Sequence, residues 1–166
     1  MPRFLALASA LLLSLASARA EDVSYQPDDA RVLSQCQAEM KAQSEAGGSG
    51  DLTDCIGAAT SACELEAPEN QSTFGMMRCA QRETTWWDEQ LNMHYQALRA
   101  ELPEGLFAEL RAAQRAWIAY RDASCGFEYR FWEDGSIRHI IYSGCVLRTA
   151  ALRALDLDGL LGWMDR

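Results

Sequence analysis

Two histidines, six cysteines and 24 aspartates and glutamates are the groups in this 166-residue chain with the means to do chemistry. His94 and His139 would have to supply any imidazole base, and neither comes with a nucleophile and an orienting carboxylate at a recognisable spacing. The chain has no Gly-x-Ser-x-Gly elbow, no phosphate-binding loop and no His-Glu-x-x-His pair. Glycoside cleavage needs only two carboxylates at the right separation, so an abundance of them carries no information. Trp86, Trp87 and Trp117 would make a sugar-stacking platform if exposed, but Trp87 and Trp117 fall on apolar helical stripes and read as core, while Trp86 faces elsewhere. His94, between Met93 and Tyr95 beside such a stripe, reads as structural. No catalytic set emerges, and the chain reads as a non-enzyme without a cofactor.

The cysteines are Cys36, Cys55, Cys63, Cys79, Cys125 and Cys145. A zinc site wants paired thiolates at short spacing, and the nearest two, Cys55 and Cys63, are eight apart, so no metal site is expected. An even count in an exported chain argues for disulfides. Fifteen pairings are open; pairing sequence neighbours would give Cys36–Cys55, Cys63–Cys79 and Cys125–Cys145, closing loops that stabilise by about 3 kcal/mol each in the chain-entropy view. One further group is chemically distinctive. Gly135, Ser136, Arg138 and His139 place a hydroxyl, a guanidinium and an imidazole just past a glycine turn, where recognition residues tend to sit. The plainer reading is that Gly135-Ser136 reverses the chain and Ser136 caps the next helix. The sequon Asn70-Gln71-Ser72 is short enough to arise by chance and is given no weight.

The elements that must position these residues read as helices. Val32, Leu33, Cys36 and Met40 suggest a helix from about residue 28 to 46, stopped by Gly47-Gly48, and a second short one covers about 52 to 65. Met77, Ala80, Trp87, Leu91, Tyr95, Leu98 and Leu102 form one stripe of a long helix over 73–102. Pro103-Glu104-Gly105 breaks it, and Leu106, Leu110, Ala113, Trp117, Tyr120 and Ser124 restart the spacing, which predicts an antiparallel hairpin running on to about Trp132. A third helix is expected over 137–155, with Ile137, Ile141, Cys145, Leu152 and Leu155 on one face. Arg148 shares that face and needs an acidic partner or an escape to solvent; Asp122 is one candidate. The fold class is therefore all-α: a helical hairpin plus a third helix, stapled by disulfides, with a short helical N-terminal extension.

Residues 1–20 read as a secretory leader, with Arg3, an apolar run from Phe4 to about Leu15, and Ala18-Arg19-Ala20 before the cut. The run is well short of the roughly 20 residues that span a bilayer, so no membrane anchor is expected. The remaining divisions are 21–62 as the cysteine-containing extension, 63–158 as the helical domain and 159–166 as a tail. Loss of Arg3 and Arg19 leaves 13 basic against 24 acidic residues, taking the formal charge from −9 to −11. Nucleic acid is a poor partner for such a chain, and a basic protein a good one. The expected location is the periplasm or the outside of the cell.

Specific motifs lie on the hairpin and beyond. Cys79 is followed by Leu91-Asn92-x-x-Tyr95, then Ala113-Gln114-Arg115-x-Trp117, Arg121-Asp122-x-x-Cys125, the Gly135-Ser136 turn, Cys145 and Arg153. In this order they resemble the LprI-like lysozyme-inhibitor family over about residues 63 to 155. Two departures stand out: the family's Gly-Gly-Ser turn reads Asp134-Gly135-Ser136, and Cys36 and Cys55 lie outside the motif, an extra pair that fits a local staple. The resemblance implies a small secreted, disulfide-bonded helical domain that binds and blocks lysozyme, a basic partner that a chain of −11 would attract. A blocker gains by placing donors between lysozyme's two catalytic carboxyl groups, a part the turn from Gly135 to His139 is equipped to play. The motif residues themselves read as scaffold: Leu91, Tyr95 and Trp117 as core, Asn92 and Gln114 as polar contacts between helices, Arg121 with Asp122 as an ion pair or helix-end anchor. The alternative is a non-catalytic envelope module that binds another periplasmic protein or a cell-wall fragment.

Overall fold

Pro27 opens the first helix with its φ already set for the helical turn, and Asp29 accepts the Gln26 N–H at 2.7 Å to close the first turn. This helix, α1, spans Pro27–Glu45 and ends at Gly47, whose φ of 79° is the left-handed conformation that glycine adopts at least cost. The computed structural model describes residues 23–164, so the expected leader lies outside the described residues. After a 3-10 turn at Leu52–Cys55 come α2 (Ala58–Glu66), a second 3-10 turn at Pro68–Gln71, and then the long helices α3 (Thr73–Glu101), α4 (Glu104–Phe131) and α5 (Ile137–Met164). Among the described residues every regular element is helical, which bears out the all-α class.

Ser72 starts α3 as its N-cap, accepting the Gly75 N–H at 3.1 Å. Gly75 is required there because a Cβ would stand 2.4 Å from the Asn70 backbone. Asn70 itself donates to the Cys63 carbonyl at 2.7 Å. The structure pairs Cys36 with Cys55, Cys63 with Cys79 and Cys125 with Cys145, the pairing of sequence neighbours.

The core forms where α5 lies along α3. Trp87, Leu91 and Leu98 from α3 meet Leu147, Ala151, Ala154 and Leu157 from α5. The buried face of α5 thus runs through Leu147, Ala150, Ala151, Ala154 and Leu157, and not through the expected line of Ile137, Ile141, Cys145, Leu152 and Leu155, of which only Cys145 is fully buried. Three alanines let the helix backbones come close, and that gain in contact outweighs burying larger but scattered side chains. The helix also continues past Leu155 to Met164, because Leu157 is still core.

α4 turns back after Pro103 as expected, yet it leans on α5 and not on α3. Its backbone is tied to α5 by Cys125–Cys145 and by Arg153, whose Nε donates to Gln114 Oε1 at 2.5 Å. Three members of its predicted apolar stripe stay in solvent, Ala113 together with Leu106 at 53% and Tyr120 at 64% exposure, and Phe107 and Cys125 are its fully buried residues. The N-terminal extension packs on α3 through the buried Leu33 and Ala59, which join the same core.

Two polar clusters fix that extension. Glu83 on α3 is fully buried, and its carboxylate accepts from Gly57 N–H and Thr60 N–H at 2.7 Å, Thr60 Oγ1 at 2.8 Å and Trp87 Nε1 at 3.0 Å. It therefore caps α2 in place of the side chain that Gly57 lacks. Arg82 joins α1 to α2 through Asp29 at 2.7 Å and Glu66 at 3.1 Å, and these partners push its pKa further up. Asp122, the expected partner of Arg148, instead pairs with its neighbour Arg121 at 2.8 Å, while Arg148 escapes to solvent and reaches Glu128 at 3.5 Å.

Candidate functional site: a motif-lined groove and an aromatic tip

Because α4 diverges from α3, a groove of about 370 Å³ opens between them. Its α3 wall carries Asp88, Leu91, Asn92 and Tyr95, and its α4 wall carries Gln114, Trp117 and Ile118 together with arginines 111, 115 and 121. Leu91 is core at the base; Tyr95 and Trp117 are half-buried, and Tyr95 packs against Phe107 with centroids 5.5 Å apart. The Arg121 guanidinium lies 5.2 Å over the Trp117 ring. Asp88 has no hydrogen-bond partner among the described residues; burial pushes its carboxyl pKa up, with the charge of Arg121 pulling the other way. Three guanidiniums against one carboxylate make the groove a basic strip in an acidic chain.

The second surface is the free end of the α4–α5 pair. Phe127, Phe131 and Trp132 are 61%, 67% and 45% exposed, with ring centroids 6.0 Å apart from Phe127 to Phe131 and 5.9 Å from Phe131 to Trp132. On the side toward α5, Tyr129 receives the Arg138 guanidinium at 4.8 Å, the His139 ring edge-on at 5.3 Å and Tyr142 at 5.9 Å. Arg138 Nη1 donates to the Glu133 carbonyl at 2.6 Å, which holds Glu133 at a φ of 50°, a conformation that costs a non-glycine residue about 1 kcal/mol.

The family model described as lysozyme inhibitor LprI matches residues 63–157, the stretch that contains both surfaces. This chain belongs to the LprI family. An uncharacterized protein of Rhizobium meliloti (strain 1021), R02472, is 34% identical to it over 99 residues, which cover 50% of this chain and 69% of that one. No solved structure matches. The three disulfides of this LprI domain and its extension fit an oxidising setting outside the cytoplasm. Among the described residues no helix is long and apolar enough to cross a membrane.

The LprI motif residues turn out to share a place. Leu91, Asn92, Tyr95, Gln114, Trp117 and Arg121 all line the one groove, although their types had suggested scaffold alone. Gln114 does bridge helices through Arg153, and Arg121 does pair with Asp122, but Asn92 is exposed and makes no such bond. Arg153 also reaches Asp156 at 3.6 Å. In the turn, Gly135 and Ser136 are exposed, and the Ser136 hydroxyl makes no capping bond among the described residues. Arg138 and His139 are half-buried and folded inward on Tyr129, so the guanidinium braces the turn. His94 joins α3 to α5, with Nδ1 3.1 Å from the Ala154 carbonyl and Nε2 3.6 Å from Asp158. Trp86 is buried edge-on against Trp87, which removes it as a sugar platform.

Sequence reasoning missed the aromatic tip. Phe127 and Phe131 lie three and seven residues beyond Ser124, so they continue the α4 stripe to the end of the helix, and that continuation was the available signal. It missed the groove too, since periodicity does not tell how far apart two helices stand.

Proposed function

We propose that this chain is a non-catalytic lysozyme inhibitor that acts outside the cytoplasm, in the periplasm or beyond, and binds one to one through the tip of its α4–α5 pair. Membership of the LprI family carries the reading. The tip supports the choice of surface. It is an exposed helix end, and its three exposed aromatic rings are of the kind that most often dominates binding energy. The Cys125–Cys145 bridge and the Tyr129–Arg138 stack hold the turn, so little order is lost on binding. Ser136, on the exposed crest, supplies a hydroxyl to the cleft carboxyl groups, while Arg138 and His139 support it from below. The net charge of −9 draws in a basic enzyme and speeds the encounter.

Replacing Phe131 and Trp132 by serine is expected to weaken inhibition at least tenfold with the thermal midpoint unchanged, since both side chains are exposed. Replacing Arg138 and His139 by alanine is expected to weaken it at least as much, but with loss of order at the turn, seen as faster hydrogen exchange over residues 132–139. Displacement of the inhibitor by a chito-oligosaccharide separates an active-site blocker from an envelope module with some other partner.

A further inference from the structure

We infer that the groove between α3 and α4 is a separate binding site for a short acidic peptide, its carboxylates held by Arg111 and Arg115 and its amino end turned toward Asp88. Arg111 and Arg115 stand one turn apart on the same face of α4 and line the groove, and neither has an ion pair or hydrogen bond among the described residues. In a chain with 24 acidic residues against 15 basic ones, two adjacent guanidiniums without a carboxylate are conspicuous, because like charges one turn apart destabilise a helix. They offer forked donors that match a carboxylate.

The rest of the groove completes the pattern. Gln114 has its oxygen taken by Arg153, which leaves its NH₂ as a donor, and Asn92 across the groove has both ends of its amide free. Two side-chain amides are complementary to the donors and acceptors of a peptide backbone. At the far end Asp88, which has no hydrogen-bond partner, supplies the acceptor for an ammonium. From Asp88 to Tyr95 the helix rises about 10 Å, the length of about three extended residues. The apolar base of Leu91, Tyr95, Trp117 and Ile118 takes the side-chain methylenes. A sugar ring fits less well, since the Arg121 guanidinium already covers one face of Trp117. The net charge of −9 disfavours anions over the molecule as a whole, so the local charge of this groove selects its occupant.

The test is a calorimetric titration of the oxidised protein with Ala-Glu-Glu, its carboxylate-free counterpart Ala-Gln-Gln amide, and the N-acetylated form of Ala-Glu-Glu. Saturable binding of Ala-Glu-Glu is expected, with each modified peptide at least tenfold weaker. Arg111→Gln with Arg115→Gln should lose at least tenfold with an unchanged thermal midpoint, and Arg111→Lys with Arg115→Lys should recover part of it. Equal binding of the acidic and the carboxylate-free peptide, full binding by the glutamine variant, or no saturation at millimolar peptide would overturn the proposal. A disaccharide-linked acidic peptide released from cell wall by lysozyme forms the second arm. Tighter binding than the free peptide assigns a cell-wall source, and weaker binding assigns a peptide cut from protein. Lysozyme inhibition by the glutamine variant should match the unaltered chain, so the two surfaces stand or fall separately.

Discussion

Glu83 is where a single side chain bears the most structure. Its carboxylate satisfies backbone N–H groups at the start of α2 and the indole of Trp87, all in the interior. Glu83→Ala strands these donors at about 1–3 kcal/mol each, so a loss of about 3 kcal/mol or more is expected, read as a lower urea midpoint. Glu83→Gln, which keeps one acceptor oxygen, should lose less. Asp88 is the reverse case. Burial raises its pKa in the folded chain, so the fold disfavours the ionised form: the penalty is absent below the unfolded pKa and fully felt once pH has risen through the folded one. Asp88→Asn should therefore raise the thermal midpoint at about pH 7, and the gain should vanish near pH 3, where both states carry the neutral acid. Neither role was legible in the sequence. Glu83 and Asp88 look like two of many carboxylates, and what distinguishes them is depth, set by elements far away in the chain.

Among the elements, α3 was the most legible, because the apolar residues of its stripe recur at helical spacing and, Met77 aside, meet one core. α5 was misread for a physical reason: its buried face is built on Ala150, Ala151 and Ala154, which carry little hydrophobic weight yet permit close approach to α3. The α4 stripe was recognised, but a stripe does not say whether a partner covers it, and here Leu106 and Tyr120 remain in solvent. α1 depends on its staple. Leu33 is its one fully buried apolar side chain, and the Cys36–Cys55 bridge closes a separation of 19 residues. Replacing both cysteines by alanine is expected to cost about 3 kcal/mol. Hydrogen exchange should then show α1 losing protection while α3 and α5, joined through the main core, keep theirs.

At the scale of the whole molecule the sequence carried the class and the family, since each rests on local pattern or on motif order. It left fifteen cysteine pairings open, of which the structure has the pairing of neighbours. It carried less of the surfaces, which arise only when helices are set at their distances: the groove because α4 leans away from α3, and the aromatic tip because nothing covers the end of α4. The central claim is inhibition of lysozyme through that tip. It is tested most directly by following lysis of cell-wall substrate by a chicken-type lysozyme at rising concentrations of the oxidised protein, at about 0.15 M salt where charges are screened beyond roughly 8 Å. An unrelated protein of equal charge and the variant with Phe131→Ser and Trp132→Ser run alongside. Inhibition is expected to survive the salt, exceed the control and fall at least tenfold in the variant. Inhibition no greater than the control, or undiminished in the variant, would mean that the tip does not block lysozyme.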